Sequence, residues 1–369
     1  MNHQVPFFSA EAVNSEYDLL SPIDRVIKSN WYVLGKEVSS FEAEFAKYCG
    51  VEFCTGVANG TDALEIGLRS LGVGPNDTVV LSANSGFYGS TAVLRCGATP
   101  RYVDVDPVTL TISPASLGDV LIDSPKAIIV THLYGQMAQV EAIVRLADRY
   151  NIPVIEDCAQ AHGAEISSNK AGSFGAIGCF SFYPTKNLGA LGDGGAIVCK
   201  DKNLFDSIMQ LRQYGWSKKY TVAIEGGGNS RLDEIQASVL RCKLRYLDDS
   251  NLIRRDIAKR YSAAFSSIPV TCPAVLDSSY VAHLYVLQTE QRDELREFLL
   301  SKGIGVDIHY PIPDHQQPIF DGRYSGCNLP ITEMLSRCIL SLPCFPGLSL
   351  QDVDYVVDNV INFFERGNK

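Results

Sequence analysis

Short, nearly unbroken apolar runs alternate with helix-patterned stretches through the first two-thirds of the chain, and this alternation restricts the fold more than any figure of composition. Strands are predicted at 51–57, 78–81, 101–105, 127–131, 154–155, 178–182 and 196–199. Between them, 61–71 reads as a helix with Leu64, Leu68 and Leu71 on one face, and helices are also predicted around 90–96 and at 140–150. Strands that are apolar on both sides need cover on both faces, which a mostly parallel sheet between helical layers supplies. The expected fold class is therefore α/β, without internal repeats or low-complexity segments.

At 369 residues the chain exceeds what a single core usually organises, so a second, smaller unit is expected. A long helix predicted at 233–247, continuing towards Tyr261, would carry the chain out of the sheet. A strand at 285–288 and helices at 292–302 and 350–364 then suggest an α+β unit. The division is drawn as a large domain of residues 1–245, including an N-terminal arm, and a small C-terminal domain of residues 246–369. The glycines at 226–228 mark a loop.

A formal charge of −10 argues against a general partner for nucleic acid or an anionic membrane, since both require a basic surface to replace counterions. Any phosphate must be held locally. The eleven cysteines form no CxxC pair and no cluster at metal-ligand spacing, and they are read as reduced thiols. Cys158 and Cys179 follow apolar strand patterns and are expected to fill core space. The start Met1-Asn2-His3-Gln4-Val5-Pro6 lacks the basic residues and apolar core of a signal peptide, and no stretch reaches the roughly 18 apolar residues of a membrane span. A cytoplasmic location is the expectation.

Ligands of open parallel sheets collect beyond the carboxyl ends of the strands, and several of those ends carry polar residues. Ala58-Asn59-Gly60-Thr61-Asp62 follows the first strand and opens a helix. Its amides and dipole suit a phosphate, while its plainer reading is a capped strand-turn-helix. Glu156 and Asp157 end a buried strand, an unfavourable place for two acids unless each is paired or solvated. Lys186 lies in Ser181-Phe182-Tyr183-Pro184-Thr185-Lys186-Asn187-Leu188-Gly189, close to backbone, hydroxyls and aromatic rings. It is either an ordinary lysine in a tight loop or an amine nucleophile whose charge is suppressed. Pyridoxal phosphate would account for all three features at once: an aldehyde for Lys186, a phosphate for the Gly60-Thr61 turn, and a protonated ring nitrogen for an aspartate.

With these motifs in place the chain resembles the sugar-nucleotide aminotransferases of the DegT and StrS type, a branch of the fold-type I pyridoxal phosphate enzymes related to aspartate aminotransferase. The resemblance runs from Asn30-Trp31-Tyr32-Val33-Leu34-Gly35 through the Asn59-Gly60-Thr61-Asp62 and Glu156-to-Gly163 segments to the lysine loop. It continues in Gly228-Asn229-Ser230-Arg231-Leu232-Asp233-Glu234 and His309-Tyr310-Pro311. It implies that Lys186 forms the Schiff base and then moves the proton, and that Asp157 holds the pyridinium nitrogen. Gln160 is implied near the ring. Gly60, Thr61 and Ser181 would hold the phosphate, with Asn229 reaching it from a neighbouring subunit of a homodimer with shared active sites. Relatives that dehydrate sugars carry histidine in place of this lysine, so Lys186 favours amino transfer.

One position departs from the family pattern. The aromatic residue that usually stacks on the cofactor ring aligns with Gly86 in Ala83-Asn84-Ser85-Gly86-Phe87-Tyr88, leaving Phe87 or Tyr88 as substitutes or as core aromatics. The motifs look most like those of enzymes acting at C3 of dTDP-linked 3-keto-6-deoxyhexoses, with L-glutamate as the expected amino donor. His309, Tyr32, Tyr183 and Lys219 are the candidate contacts for the nucleotide-linked keto-sugar. His309 could equally bond the backbone, and Lys219, with its neighbour Lys218, could equally belong to a solvated face. The alternatives are a UDP-linked 3-keto sugar or a C4 keto-sugar as substrate or, in another class, an inactive regulatory or binding homologue.

Overall fold

Each apolar run becomes a strand close to where it is expected. The computed structural model describes residues 3–366. The strands are β1 (Phe53–Val57), β2 (Thr78–Ser82), β3 (Thr99–Val103), β4 (Ala127–Thr131), β5 (Val154–Asp157), β6 (Ile177–Ser181) and β7 (Gly195–Cys199). They form one seven-stranded sheet in the order β1-β7-β6-β5-β4-β2-β3. Pairing is parallel from β6 to β3, and only β7 runs against its two neighbours. The reason is local: β6 and β7 are consecutive and directly hydrogen-bonded, with Ser181 opposite Gly195, so the loop carrying Lys186 joins two antiparallel strands. The sheet has the α/β character expected of it. Apolar clusters cover both faces, one around Leu64, Leu68, Ile129 and Ile155, and on the other face one around Phe41, Phe45, Phe180 and Phe182 and another around Val80, Val103, Ile128 and Val130. Cys158 and Cys179 are fully buried in these layers, as expected.

The predicted helix at 233–247 does not run on towards Tyr261. It stops at Leu244, and a second helix occupies Leu247–Ala264. Neither proline nor glycine marks the break; Tyr246 sits at φ −113°, ψ 6°, outside helical geometry. Packing supplies the cause. Leu240, Leu244 and Leu247 belong to the sheet's apolar layer, whereas Ile257, Ala258 and Tyr261 belong to a separate C-terminal core. The chain turns just before it changes cores, the second helix starting at Leu247 in the sheet's layer and reaching the C-terminal core by Ile257. Helices at Leu20–Ser29, Lys36–Cys49, Pro114–Leu121, Lys202–Leu211 and Pro330–Cys338 were not read from the sequence.

In the C-terminal core, Tyr285–Gln288 pairs antiparallel with Ile339–Leu342. Helices Arg292–Ser301 and Leu350–Arg366 pack on this pair. Val5 also joins this core: its N–H donates to the Gly303 carbonyl at 2.9 Å and its carbonyl accepts from Gly305 at 2.8 Å. Among the described residues no helix is long and apolar enough to cross a membrane.

Candidate active site

The helix Gly60–Ser70 begins directly after β1, capped by Asn59, whose side-chain oxygen accepts the Asp62 N–H at 2.8 Å. The first N–H groups of a helix have no partner within it, so this end presents donors and a positive dipole. Gly60 is required by a close approach. A Cβ there would lie 2.7 Å from the Ser181 Cβ, so only a residue without a side chain lets the helix start pack against the end of β6. Gly60, Thr61 and Ser181 thereby share one wall of a cavity of about 700 Å³ at the carboxyl edge of the sheet. Such a pocket suits a phosphate.

At the end of β5 the two acids part, because consecutive strand residues face opposite sides. Glu156 is wholly enclosed among donors: the N–H groups of Phe174 and Gly175 at 2.7 and 2.8 Å, that of Gly172 at 2.9 Å, and His132 Nε2 at 2.9 Å. The Ala138 N–H donates to His132 Nδ1 at 3.1 Å, so Nε2 carries the proton shared with Glu156. Burial alone would raise the Glu156 carboxyl, but these hydrogen bonds outweigh it and hold it below the ordinary range. Asp157 faces the cavity instead. Among the described residues its side chain accepts from the Ala159 N–H at 3.1 Å and the Thr131 hydroxyl at 3.3 Å and from no other. Burial pushes its carboxyl up in spite of these bonds and of Lys186. Such an aspartate stabilises a cation placed beside it.

The loop that carries Lys186 is fixed at many points. Its own N–H bonds the Tyr183 carbonyl at 2.8 Å, and Ala190 N–H bonds the Phe182 carbonyl at 2.8 Å. A Cβ on Gly189 would stand 2.5 Å from the Pro184 carbonyl oxygen, so the turn closes only with glycine there. Lys243 Nζ donates to the Gly189 carbonyl at 2.8 Å. Asn187 gives its amide hydrogens to Asn251 and to the Val281 carbonyl, which leaves its oxygen to accept from His283 Nδ1 at 2.9 Å. Lys186 itself lines the cavity with Asp157. Burial brings its pKa down from 10.5 to about 8, with Asp157 pulling the other way. A useful fraction is then neutral, and hence nucleophilic, near pH 7 to 8.

Of the other expected residues, Gln160, Tyr183 and His309 line the same cavity, with Tyr183 at its exposed rim. Gln160 accepts the Tyr134 N–H and donates to the Tyr310 hydroxyl at 3.2 Å. His309 Nδ1 pairs with the Ser341 hydroxyl at 2.9 Å; burial lowers its pKa, with Asp307 opposing. Tyr32, Lys219 and Asn229 are exposed and lie outside this cavity in the single chain. The Lys219 ammonium sits over the Tyr220 ring, 5.1 Å from its centre.

Sequence reading missed Tyr310, His283 and Arg254, which also line the cavity. Tyr310 stood in the quoted His309-Tyr310-Pro311 segment, so its motif was a usable signal. His283 and Arg254 are brought in by the C-terminal half and carry no local signal. Gly86 has φ +77°, and a Cβ built on it would lie 2.8 Å from Cε1 and Cζ of Tyr310. The Tyr310 ring therefore occupies the space a side chain at position 86 would enter. Phe87 is committed elsewhere, packing against Phe320 at 5.6 Å between ring centres.

Comparison with known proteins adds to this geometry. Residues 15–361 match the model of the DegT/DnrJ/EryC1/StrS aminotransferase family. A curated relative from Aneurinibacillus thermoaerophilus, dTDP-3-amino-3,6-dideoxy-alpha-D-galactopyranose transaminase, is 42% identical over 96% of this chain and 98% of its own. Another, UDP-N-acetyl-3-dehydro-alpha-D-glucosamine 3-aminotransferase from Acidithiobacillus ferrooxidans, is 39% identical over 91% of both chains. The crystal structure of DesV from Streptomyces venezuelae, in complex with a ketimine intermediate, superposes with a TM-score of 0.95 at 39% identity, covering 98% of this chain and 99% of that one.

Proposed function

The chain belongs to the DegT/DnrJ/EryC1/StrS aminotransferase family and is a pyridoxal phosphate-dependent sugar-nucleotide aminotransferase. From that premise we propose that it transfers the amino group of L-glutamate to C3 of a dTDP-linked 3-keto-6-deoxyhexose, giving a dTDP-3-amino-3,6-dideoxyhexose. The carrying observation is one cavity that joins Lys186, Asp157 and the Gly60–Thr61 helix start. Full-length similarity to a dTDP-3-amino-sugar transaminase supports the choice of substrate. The homodimer, with Asn229 completing the neighbour's site, and the cytoplasmic location belong to the same reading.

The residues fit the cofactor. The Gly60 and Thr61 N–H groups with the Ser181 hydroxyl would hold its phosphate, the under-compensated Asp157 its ring nitrogen, and Gln160 its ring edge. When bound, pyridoxal phosphate supplies an electron sink for breaking and making bonds at the amino-bearing carbon. Asp157 would favour a proton on the ring nitrogen, because its own charge finds little other compensation. Lys186, with its pKa near 8, first offers a neutral Nζ and then takes up or returns a proton at that atom. Tyr183 at the rim and His309 on the wall are the sugar contacts in this reading. Lys219 and Tyr32, exposed in the single chain, would reach a nucleotide only where a second subunit brings one.

A UDP-linked 3-keto sugar is the second reading, favoured by the 39% identical relative that acts on such a compound. The inactive homologue finds no support, since Lys186 and Asp157 are both in place. Purified protein is to be given glutamate with dTDP- and UDP-linked 3-keto and 4-keto sugars, and the products identified by mass and NMR. Amination at C3 of the dTDP sugar is expected; amination solely at C4, or of UDP sugars alone, overturns the assignment.

A further inference from the structure

We propose that Tyr310, from the C-terminal part of the chain, supplies the aromatic cover for the cofactor ring that Gly86, in the 83–88 loop, cannot provide. The inference rests on the cofactor assignment above. A planar heteroaromatic ring in a cavity gains most from a flat apolar face laid against it, and a held tyrosine provides one at small entropic cost. The loop facing this wall brings one aromatic to the cavity, Tyr88, but none at the position that Gly86 occupies. Gly86 has no side chain and a left-handed backbone at φ +77°, Phe87 is turned into the core against Phe320, and Tyr88, exposed at the cavity wall, lies edge-on behind the Tyr310 ring. Into the space above Gly86 comes the Tyr310 ring, so close that any Cβ at position 86 would collide with it.

The ring is held from several sides. Its hydroxyl accepts from Gln160 Nε2 at 3.2 Å, and Gln160 is in turn fixed by the Tyr134 N–H. The Tyr134 hydroxyl bonds the His309 carbonyl, immediately before Tyr310. On the far side, Asp314 ties the glycine loop to the same segment. It accepts the Phe87 N–H at 3.0 Å and the Ser90 hydroxyl at 2.7 Å, and its own N–H bonds the Ala83 carbonyl at 2.7 Å. Tyr88 meets the Tyr310 ring edge-on, 74° between planes and 6.2 Å between centres, so it buttresses that ring. The glycine at 86 and the tyrosine at 310 form one device. The loop gives up its side chain so that a ring from the C-terminal part can stand there, next to Gln160 and in the cavity that holds Asp157 and Lys186.

The test reads cofactor binding, not turnover. Pyridoxamine phosphate forms no covalent bond to Lys186, so its retention depends on contacts alone. Its dissociation constant is measured by titrating cofactor-free wild type, Tyr310→Phe, Tyr310→Leu and Tyr310→Ala, with near-ultraviolet dichroism and melting of each to establish folding. Tyr310→Phe should bind within about twofold of wild type, while Tyr310→Leu and Tyr310→Ala should bind about tenfold more weakly, the upper range for an aromatic contact. Should the leucine variant bind like wild type, or the phenylalanine variant be as weak as leucine, the ring is not the cover and the proposal falls. A wild type that takes up no cofactor would instead sink the functional reading, which keeps the two failures apart.

Discussion

Glu156 and Asp157 are chemically near-identical neighbours on one strand, yet the fold treats them in opposite ways. Glu156 points into a closed space where three backbone N–H groups and a histidine satisfy it, and its charge is spent on holding the 172–175 turn against β5. Asp157 points into the cavity with two hydrogen bonds and a carboxyl pushed up by burial. A satisfied buried acid secures structure. One left short of partners favours whatever cation arrives, and its difference from Glu156 comes entirely from strand alternation and what each face meets.

That contrast can be broken from either side. The largest effect is expected from Lys186→Ala, which removes the amine Asp157 faces: turnover and the absorbance of the lysine-bound cofactor should both vanish, with the melting temperature of the cofactor-free protein little changed. Retained activity would remove Lys186 from its role. Glu156→Gln should act on the fold, lowering stability by about 3 kcal/mol in urea unfolding, because its amide nitrogen leaves two buried donors without an acceptor, while folded molecules still take up cofactor. Asp157→Asn should invert that pattern. Turnover should fall about a hundredfold, the equivalent of roughly two pKa units at the ring nitrogen, with little loss in the urea midpoint.

A pH titration sharpens the same comparison. Burial holds the folded-state pKa of Lys186 near 8, below its ordinary 10.5, so the unfolded chain binds this proton more readily between those values. Stability of the cofactor-free protein should therefore rise as pH climbs from about 8 towards 10.5, and Lys186→Met should lack that part of the rise. In Asp157→Asn the rise should begin at lower pH, because Asp157 is what pulls the lysine's pKa back up. The smallest effect is expected from Lys219→Ala, an exposed charge, with a KM for the nucleotide sugar changed by a few-fold and kcat unaffected.

Much of this was legible in the sequence because it is written locally. Apolar runs of strand length marked every strand of the main sheet, and the motif at Gly60, the Glu156-Asp157 pair and the Lys186 loop each sit at a strand end where ligands gather. What was not legible depends on residues far apart in the chain. The break near Tyr246 follows from a change of core and leaves no proline or glycine behind. Glu234 accepts the N–H groups of Gly35, Glu37 and Val38, an anchoring of the Lys36–Cys49 helix that no local pattern announces. For the same reason Gly86 read only as a missing aromatic, since the ring that fills its place comes from position 310.

The pairing of Val5 with residues 303–305 has a consequence for how the protein is made. The C-terminal core needs two strands and three helices from residues 247–366 together with Val5, about 300 residues before its partners at 303–305. During synthesis the sheet can gather most of its own core first, while Val5, made that far ahead of its partners, waits, apolar, for them to follow. Contacts so distant in sequence are slow to close and leave intermediates prone to stick to one another. The last part to become native therefore contributes His309 and Tyr310 to the cavity, so a newly made chain would gain its sheet well before it could hold its cofactor firmly.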